Sequence, residues 1–211
     1  MCREEKNMSK KMIGLGCLGI VVLLVVVLVA SVIGSYNSLV GLDQKVLSQW
    51  AQVENVYQRR ADLVPNLVET VKGAAAFEKD TFTAVTEARA KVGQVSLGGA
   101  QSPAANPEAF AKFQQAQDGL SSALSRLLVV VEKYPELKAT QNFRDLQVQL
   151  EGTENRITVE RMRFNEAAQA FNTKRMRFPT VIIANFFGER FREKVYFKAQ
   201  AGAETAPKVQ F

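Results

Sequence analysis

Between Met12 and Ser35 the chain carries no charged residue, and residues 13–33 form a run of 21 dominated by Val, Leu, Ile and Gly. As a helix rising 1.5 Å per residue, such a run is about 30 Å long, the thickness of a bilayer's hydrocarbon core. Hydrocarbon offers the backbone no partners, so a lone spanning segment must be helical. The sequence therefore predicts a short tail over 1–12 and a transmembrane helix over 13–35. A cleaved signal peptide would have a shorter apolar region and a small-x-small site, which Val29-Ala30-Ser31-Val32 does not supply. Cys17 lies within the run instead of after it, and Gly14-Leu15-Gly16 matches a lipobox poorly, so Cys17 reads as a small residue of the span. Lys10 and Lys11 abut the run, with Arg3 and Lys6 nearby, whereas the first charges beyond it are Asp43 and Lys45. Basic residues favour the cytoplasmic side, which predicts a cytoplasmic N-terminus and an external domain.

After the run the pattern becomes amphipathic. Leu39, Leu42, Val46, Trp50, Val53 and Tyr57 recur at three or four residues, and Val64, Leu67, Val68, Val71, Ala75, Phe82 and Val85 continue the stripe. Pro65 interrupts it, because proline lacks a backbone donor and disfavours helical geometry at the preceding residue. Two arrangements are open. A turn near residues 60–64 starts a second helix and gives four passes, or one long helix kinks at Pro65 and gives three. Only the first returns residues 173–198 to the membrane.

Glycine and proline between Gly93 and Pro107 mark a loop, and Asn106-Pro107-Glu108 reads as a helix start with N-cap, first-position proline and an early acid. Phe110, Phe113, Leu120, Leu124, Leu127, Val131 and Tyr134 form the next apolar face, ended by Pro135. A further helix buries Phe143, Leu146, Leu150, Ile157, Phe164, Ala168 and Phe171, its seam broken by Glu154 and Arg161. No segment alternates with period two. The expected fold is all-α: an N-terminal transmembrane helix, an antiparallel four-helix bundle with coiled-coil-like seams over 36–172, and a basic aromatic segment over 173–211.

The chemistry is sparse. Histidine is absent, and the two cysteines, Cys2 and Cys17, lie at or in the anchor. That removes the usual general base, the thiol nucleophile and the commonest zinc ligands from the rest of the chain. No phosphate loop, serine elbow or metalloprotease motif occurs. Glu78 and Asp80 are paired acids, but Lys79 between them indicates a solvated face. No catalytic residue, cofactor or metal is expected. Arg59, Arg60, Asp62 and Asn66 cluster around Pro65 as a candidate partner-docking or anion-binding corner, against the plainer reading of helix-end capping.

Residues 173–211 carry 8 basic and 3 acidic side chains, a net charge of +5. Cations and rings interleave there, and a nucleic-acid surface could use both. A chain already tethered to a membrane suits them better to lipid headgroups. Candidate lipid contacts are Arg175, Arg177, Phe178, Phe186, Phe187, Arg190, Phe191 and Arg192. Membrane lipids, unidentified protein partners and a second copy of the chain are the expected partners, and nucleic acid is not. Confinement in two dimensions raises effective concentration and favours a homo-oligomer.

Several ordered motifs carry a resemblance. Tyr36-Asn37-Ser38-Leu39-Val40, Trp50-Ala51-Gln52-Val53-Glu54 and the stretch from Arg59-Arg60-Ala61-Asp62 through Pro65-Asn66-Leu67-Val68 look like the LemA family. Val71-Lys72-Gly73, Ala88-Arg89, Phe171-Asn172-Thr173, Phe178-Pro179, Phe197-Lys198-Ala199 and Ala206-Pro207 agree with it. The resemblance implies a bacterial single-pass membrane protein with a four-helix bundle and no established enzymatic activity. A relative in magnetosome-forming bacteria is linked to membrane shaping, which implies a scaffold role. The family is often drawn with its N-terminus outside, opposite to the lysine reading. A non-enzymatic scaffold or adaptor of the bacterial inner membrane is the expected function. The alternative is an accessory subunit of a membrane peptidase, or an enzyme using carboxylates.

Overall fold

A computed structural model describes residues 2–73, 78–97 and 103–198, with side chains from Gly16 onward except Cys17, Ser96, Leu97 and Ala105. The described residues are helical without strands: α1 (Cys2–Lys72), α2 (Lys79–Leu97), α3 (Pro107–Glu132), the single turn α4 (Pro135–Lys138), α5 (Gln141–Met176) and α6 (Thr180–Phe186). A 3-10 turn, Pro103–Ala105, precedes α3. The chain forms two compact units, Met1–Asp43 with Thr173–Arg192, and Gln44–Asn172 with Glu193–Phe211.

In the first unit α1 is long and apolar enough to cross a membrane, and its large side chains from Leu18 to Ile33 lie exposed. Burial begins where the apolar run ends, at Ser35 and then Leu39. Tyr36 packs its ring against Phe187 and Phe191 at centroid distances of 5.2 and 5.6 Å. Those contacts bring the segment after α5 to the end of the run.

In the second unit the directions of the helices follow from their pairings. Trp50 meets Phe110 and Phe113, and Arg60 reaches Gln117 and Ser121, so α3 runs with α1. Trp50 also meets Phe164 while Arg60 reaches Glu154, so α5 runs against α1. Lys133, just past α3, pairs with Glu78, just before α2, at 3.8 Å, so α2 opposes α3. Four passes of alternating direction share one core. Val64, Leu67 and Val71 of α1 meet Phe82 and Val85 of α2, Leu120, Leu124 and Leu127 of α3, Leu137 of α4, and Phe143 and Leu150 of α5. Each fully buried side chain of this size contributes about 1.5–3 kcal/mol.

The start of α3 is as expected: Asn106 Oδ1 accepts from the backbone N–H of Glu108 at 3.0 Å and of Ala109 at 3.2 Å. Pro107 occupies the first turn, where no donor is needed. At Pro65 the long-helix arrangement holds, but without the three passes expected of it. No turn occurs near residues 60–64, and α1 continues through Pro65 to Lys72. Four passes still result, because α1 ends only at Lys72 and the opposing α2 begins at Lys79.

Proline at 65 cannot donate to the carbonyl of Ala61. Arg89 of α2 donates its Nε–H to that carbonyl at 3.0 Å, so a neighbouring helix satisfies what the proline leaves open. Gly93 likewise does not end α2, which runs on to Leu97. Ala75, the glycines at 98 and 99, and the closing Ala199 and Ala206-Pro207 lie outside the described residues.

Candidate functional site

Arg60 occupies a core position. The buried stripe of α1 runs Val46, Trp50, Val53, Tyr57, Arg60, Val64, Leu67, Val71, alternating steps of four and three. Its guanidinium is only 2 % exposed. Nη1 donates to Ser121 Oγ at 2.9 Å and to Glu154 Oε1 at 3.1 Å. Nη2 donates to the Gln117 carbonyl at 3.2 Å and, closer still, to Gln117 Oε1. Among the described residues Nε is buried without a hydrogen-bond partner. The guanidinium lies 4.9 Å from the Tyr57 ring centroid, a cation–π contact. Burial pushes the Tyr57 hydroxyl above the usual phenol range, and Arg161 and Arg60 pull it partly back.

The four residues of the candidate corner therefore part company. Arg60 points inward, while Arg59, Asp62 and Asn66 remain on the opposite, exposed side of α1. There Gln58 Nε2 donates to Asp62 Oδ1 at 2.8 Å. Arg59, Asp62 and Asn66 line an open depression together with Arg156 of α5. The outer three are thus joined by a residue that sequence spacing does not suggest.

Next to Arg60 lies an aromatic cluster. Trp50 packs against Phe110, Phe113, Phe164 and Phe197 at centroid distances of 5.7, 5.1, 5.5 and 6.0 Å. Tyr57 meets Phe113 edge-on at 5.2 Å. Offset and edge-on pairs of this kind add about 0.5–1.5 kcal/mol each beyond their buried area.

Phe197 arrives on an extended strap, residues 192–198, held along α5 by two asparagines. Asn172 Oδ1 accepts from Lys194 N–H and its Nδ2 donates to Lys194 O, both at 2.9 Å. Asn165 makes the same pair of bonds with Phe197, also at 2.9 Å. The spacing is matched: seven helical residues rise about 10.5 Å, and three extended residues span about 10 Å. Asn172 Nδ2 further donates to the Tyr196 hydroxyl at 2.9 Å. Arg161 donates to the Lys198 carbonyl at 2.9 Å and lies 4.7 Å from the Phe197 ring centroid. The charges that break the α5 seam are thereby accounted for: Glu154 serves Arg60, and Arg161 clamps the strap.

In the first unit, Arg175 Nε donates to the Phe191 carbonyl at 2.7 Å, and Arg190 lies 5.6 Å from the Tyr36 ring centroid. Arg192 pairs with Glu189. Phe191 is buried, whereas Arg177, Phe178, Phe186, Phe187, Arg190 and Arg192 are exposed. Of the candidate lipid contacts, Phe191 is therefore a packing residue and Arg175 partly one. Among the described residues no group of three or more His, Cys, Asp or Glu side chains is placed to hold a metal ion.

Sequence reasoning missed Arg60 as a core residue, Gln117 and the two asparagines. The signals were present. Arg60 and Gln117 fall on the three-four rhythm of two apolar stripes, and Asn165 and Asn172 stand seven apart on one helix face.

An apolar helix fit to cross a bilayer, followed by a helical unit, defines a membrane-anchored helical protein. The LemA family model matches residues 49–211, and the chain belongs to the LemA family. It is 27 % identical over 200 residues to magnetosome proteins MamQ 1 and MamQ 2 of Paramagnetospirillum magneticum, covering 87 % of this chain and 72 % of theirs. With magnetosome protein MamQ of Magnetospirillum gryphiswaldense it shares 25 % over 202 residues, covering 89 % of this chain and 74 % of that one.

Proposed function

We propose that this chain is a non-enzymatic scaffold or adaptor, held in a bacterial inner membrane by a single span, whose four-helix bundle presents binding surfaces to protein partners and to further copies of itself. The observation that carries the reading is that the anchor and the first core helix are one helix, α1, unbroken from Cys2 to Lys72. Pro65 would interrupt it, and Arg89 supplies the partner that the proline withholds. A second support is the interior. There Arg60 bonds to Gln117, Glu154 and Ser121, side chains of two other helices, and so ties α1, α3 and α5 together. The relatives are magnetosome proteins by name, which fits a role in membrane organisation. Lys10 and Lys11 before the span favour a cytoplasmic N-terminus and an external bundle.

The test is affinity purification of the intact protein from membranes under mild detergent, with identification of what accompanies it and the mass of the complex. Stoichiometric membrane proteins and more than one copy of the chain are expected. A single copy that elutes alone and turns over a substrate would overturn the reading. Stoichiometric recovery of a membrane peptidase would shift it to the accessory-subunit alternative.

A further inference from the structure

Helix α6 divides its residues between two environments. Thr180, Ile183 and Ala184 are buried within the first unit. Ile182 and Phe186, four apart on the other face, are exposed, as is the preceding Phe178. Phe178 and Phe186 are 80 % and 84 % exposed, the most open aromatic side chains described. Isolated exposed apolar residues need no explanation, but three on one short segment do.

The position of the segment answers the question. Tyr36 is the third residue after the apolar run, and its ring holds Phe187 and Phe191. A tyrosine there sits at headgroup level when the run spans a bilayer. Segment 173–192 carries Lys174, Arg175, Arg177, Arg190 and Arg192 against Glu189 alone. Arg190 also lies over the Tyr36 ring.

We propose that Phe178, Ile182 and Phe186 insert into the bilayer interface beside the span, with Arg177, Arg190 and Arg192 engaging anionic lipid headgroups. Charge complementarity and continuity with the span select a lipid surface as the occupant. This makes a second membrane attachment, interfacial in kind. It does not depend on the scaffold reading, only on α1 spanning, which resistance to alkaline carbonate extraction checks separately.

The experiment uses the full chain with Cys2 and Cys17 replaced by serine and an environment-sensitive fluorophore on Phe186→Cys or, in a parallel sample, Ile182→Cys. The protein is reconstituted in phosphatidylcholine with or without phosphatidylglycerol. Lipid-borne nitroxides report insertion and aqueous iodide reports exposure. Strong nitroxide quenching and weak iodide quenching are expected when phosphatidylglycerol is present. Raised salt, or R177Q with R192Q, should lower the nitroxide quenching by about two-fold, because interfacial charge attraction is screened. Circular dichroism of the variants confirms that their helices persist. Free access of iodide in every lipid mixture would overturn the proposal. Quenching indifferent to phosphatidylglycerol would overturn its anionic-lipid part. Protection that rises with protein density and not with phosphatidylglycerol would assign the face to a second copy instead.

Discussion

The bond from Arg89 to the Ala61 carbonyl makes a sharp prediction, because it exists on account of a residue elsewhere in the chain, Pro65. A proline inside a helix costs about 3 kcal/mol relative to alanine, part of it the missing hydrogen bond. A hydrogen bond from a charged donor contributes about 1.5–3 kcal/mol when well buried. Arg89 is largely exposed, so about 1 kcal/mol is the appropriate figure here. Arg89→Ala should therefore lower the melting temperature of the helical unit by about 2–4 °C. In a Pro65→Ala background the new backbone N–H can reach the Ala61 carbonyl itself, and the same Arg89→Ala change should cost almost nothing.

The assay is a double-mutant cycle by thermal unfolding of the detergent-solubilised chain, followed by circular dichroism. The expected coupling between positions 65 and 89 is about 1 kcal/mol. If Arg89→Ala costs the same in both backgrounds within about 0.3 kcal/mol, the arginine does not compensate for the proline and the reasoning fails.

Other outcomes are open to measurement. Arg60→Ala should destabilise the helical unit by about 3 kcal/mol by leaving a cavity and stranding the buried Gln117, whereas Arg60→Met combined with Gln117→Leu should recover most of that loss in chemical denaturation. Asn172→Ala should cost about 1–3 kcal/mol and speed hydrogen exchange at the Lys194 amide, while Asn172→Asp, which can still accept from that amide, should keep it protected. The raised pKa of Tyr57 means that the unfolded chain loses its phenolic proton first. Stability should be intact below pH about 10 and fall as pH rises through the folded-state value, and Tyr57→Phe should make the alkaline limb of the stability profile shallower.

The sequence by itself determined what depends on neighbours along the chain. The apolar helix fit to cross a membrane is legible because a helix in hydrocarbon needs only length and apolarity. The α3 start is legible because Asn106 bonds amides two and three residues away. The buried faces of α3 and α5 follow from periodicity alone, with Leu120, Leu124, Leu127, Ile157 and Phe164 all in the core.

Tertiary structure decided whatever depends on partners far apart in sequence. Locally Pro65 reads as a stop or a kink, but its consequence is set by Arg89, on another helix. Arg60 looks like a surface cation beside Arg59 until α3 and α5 bring Gln117, Ser121 and Glu154 to it. Asn165 and Asn172 look like polar residues on a solvated face until the chain returns as a strap whose extended rise matches their helical spacing. A side-chain hydrogen bond to a distant backbone leaves no periodicity to read, because one residue type can serve solvent, cap or clamp, and only the fold selects which.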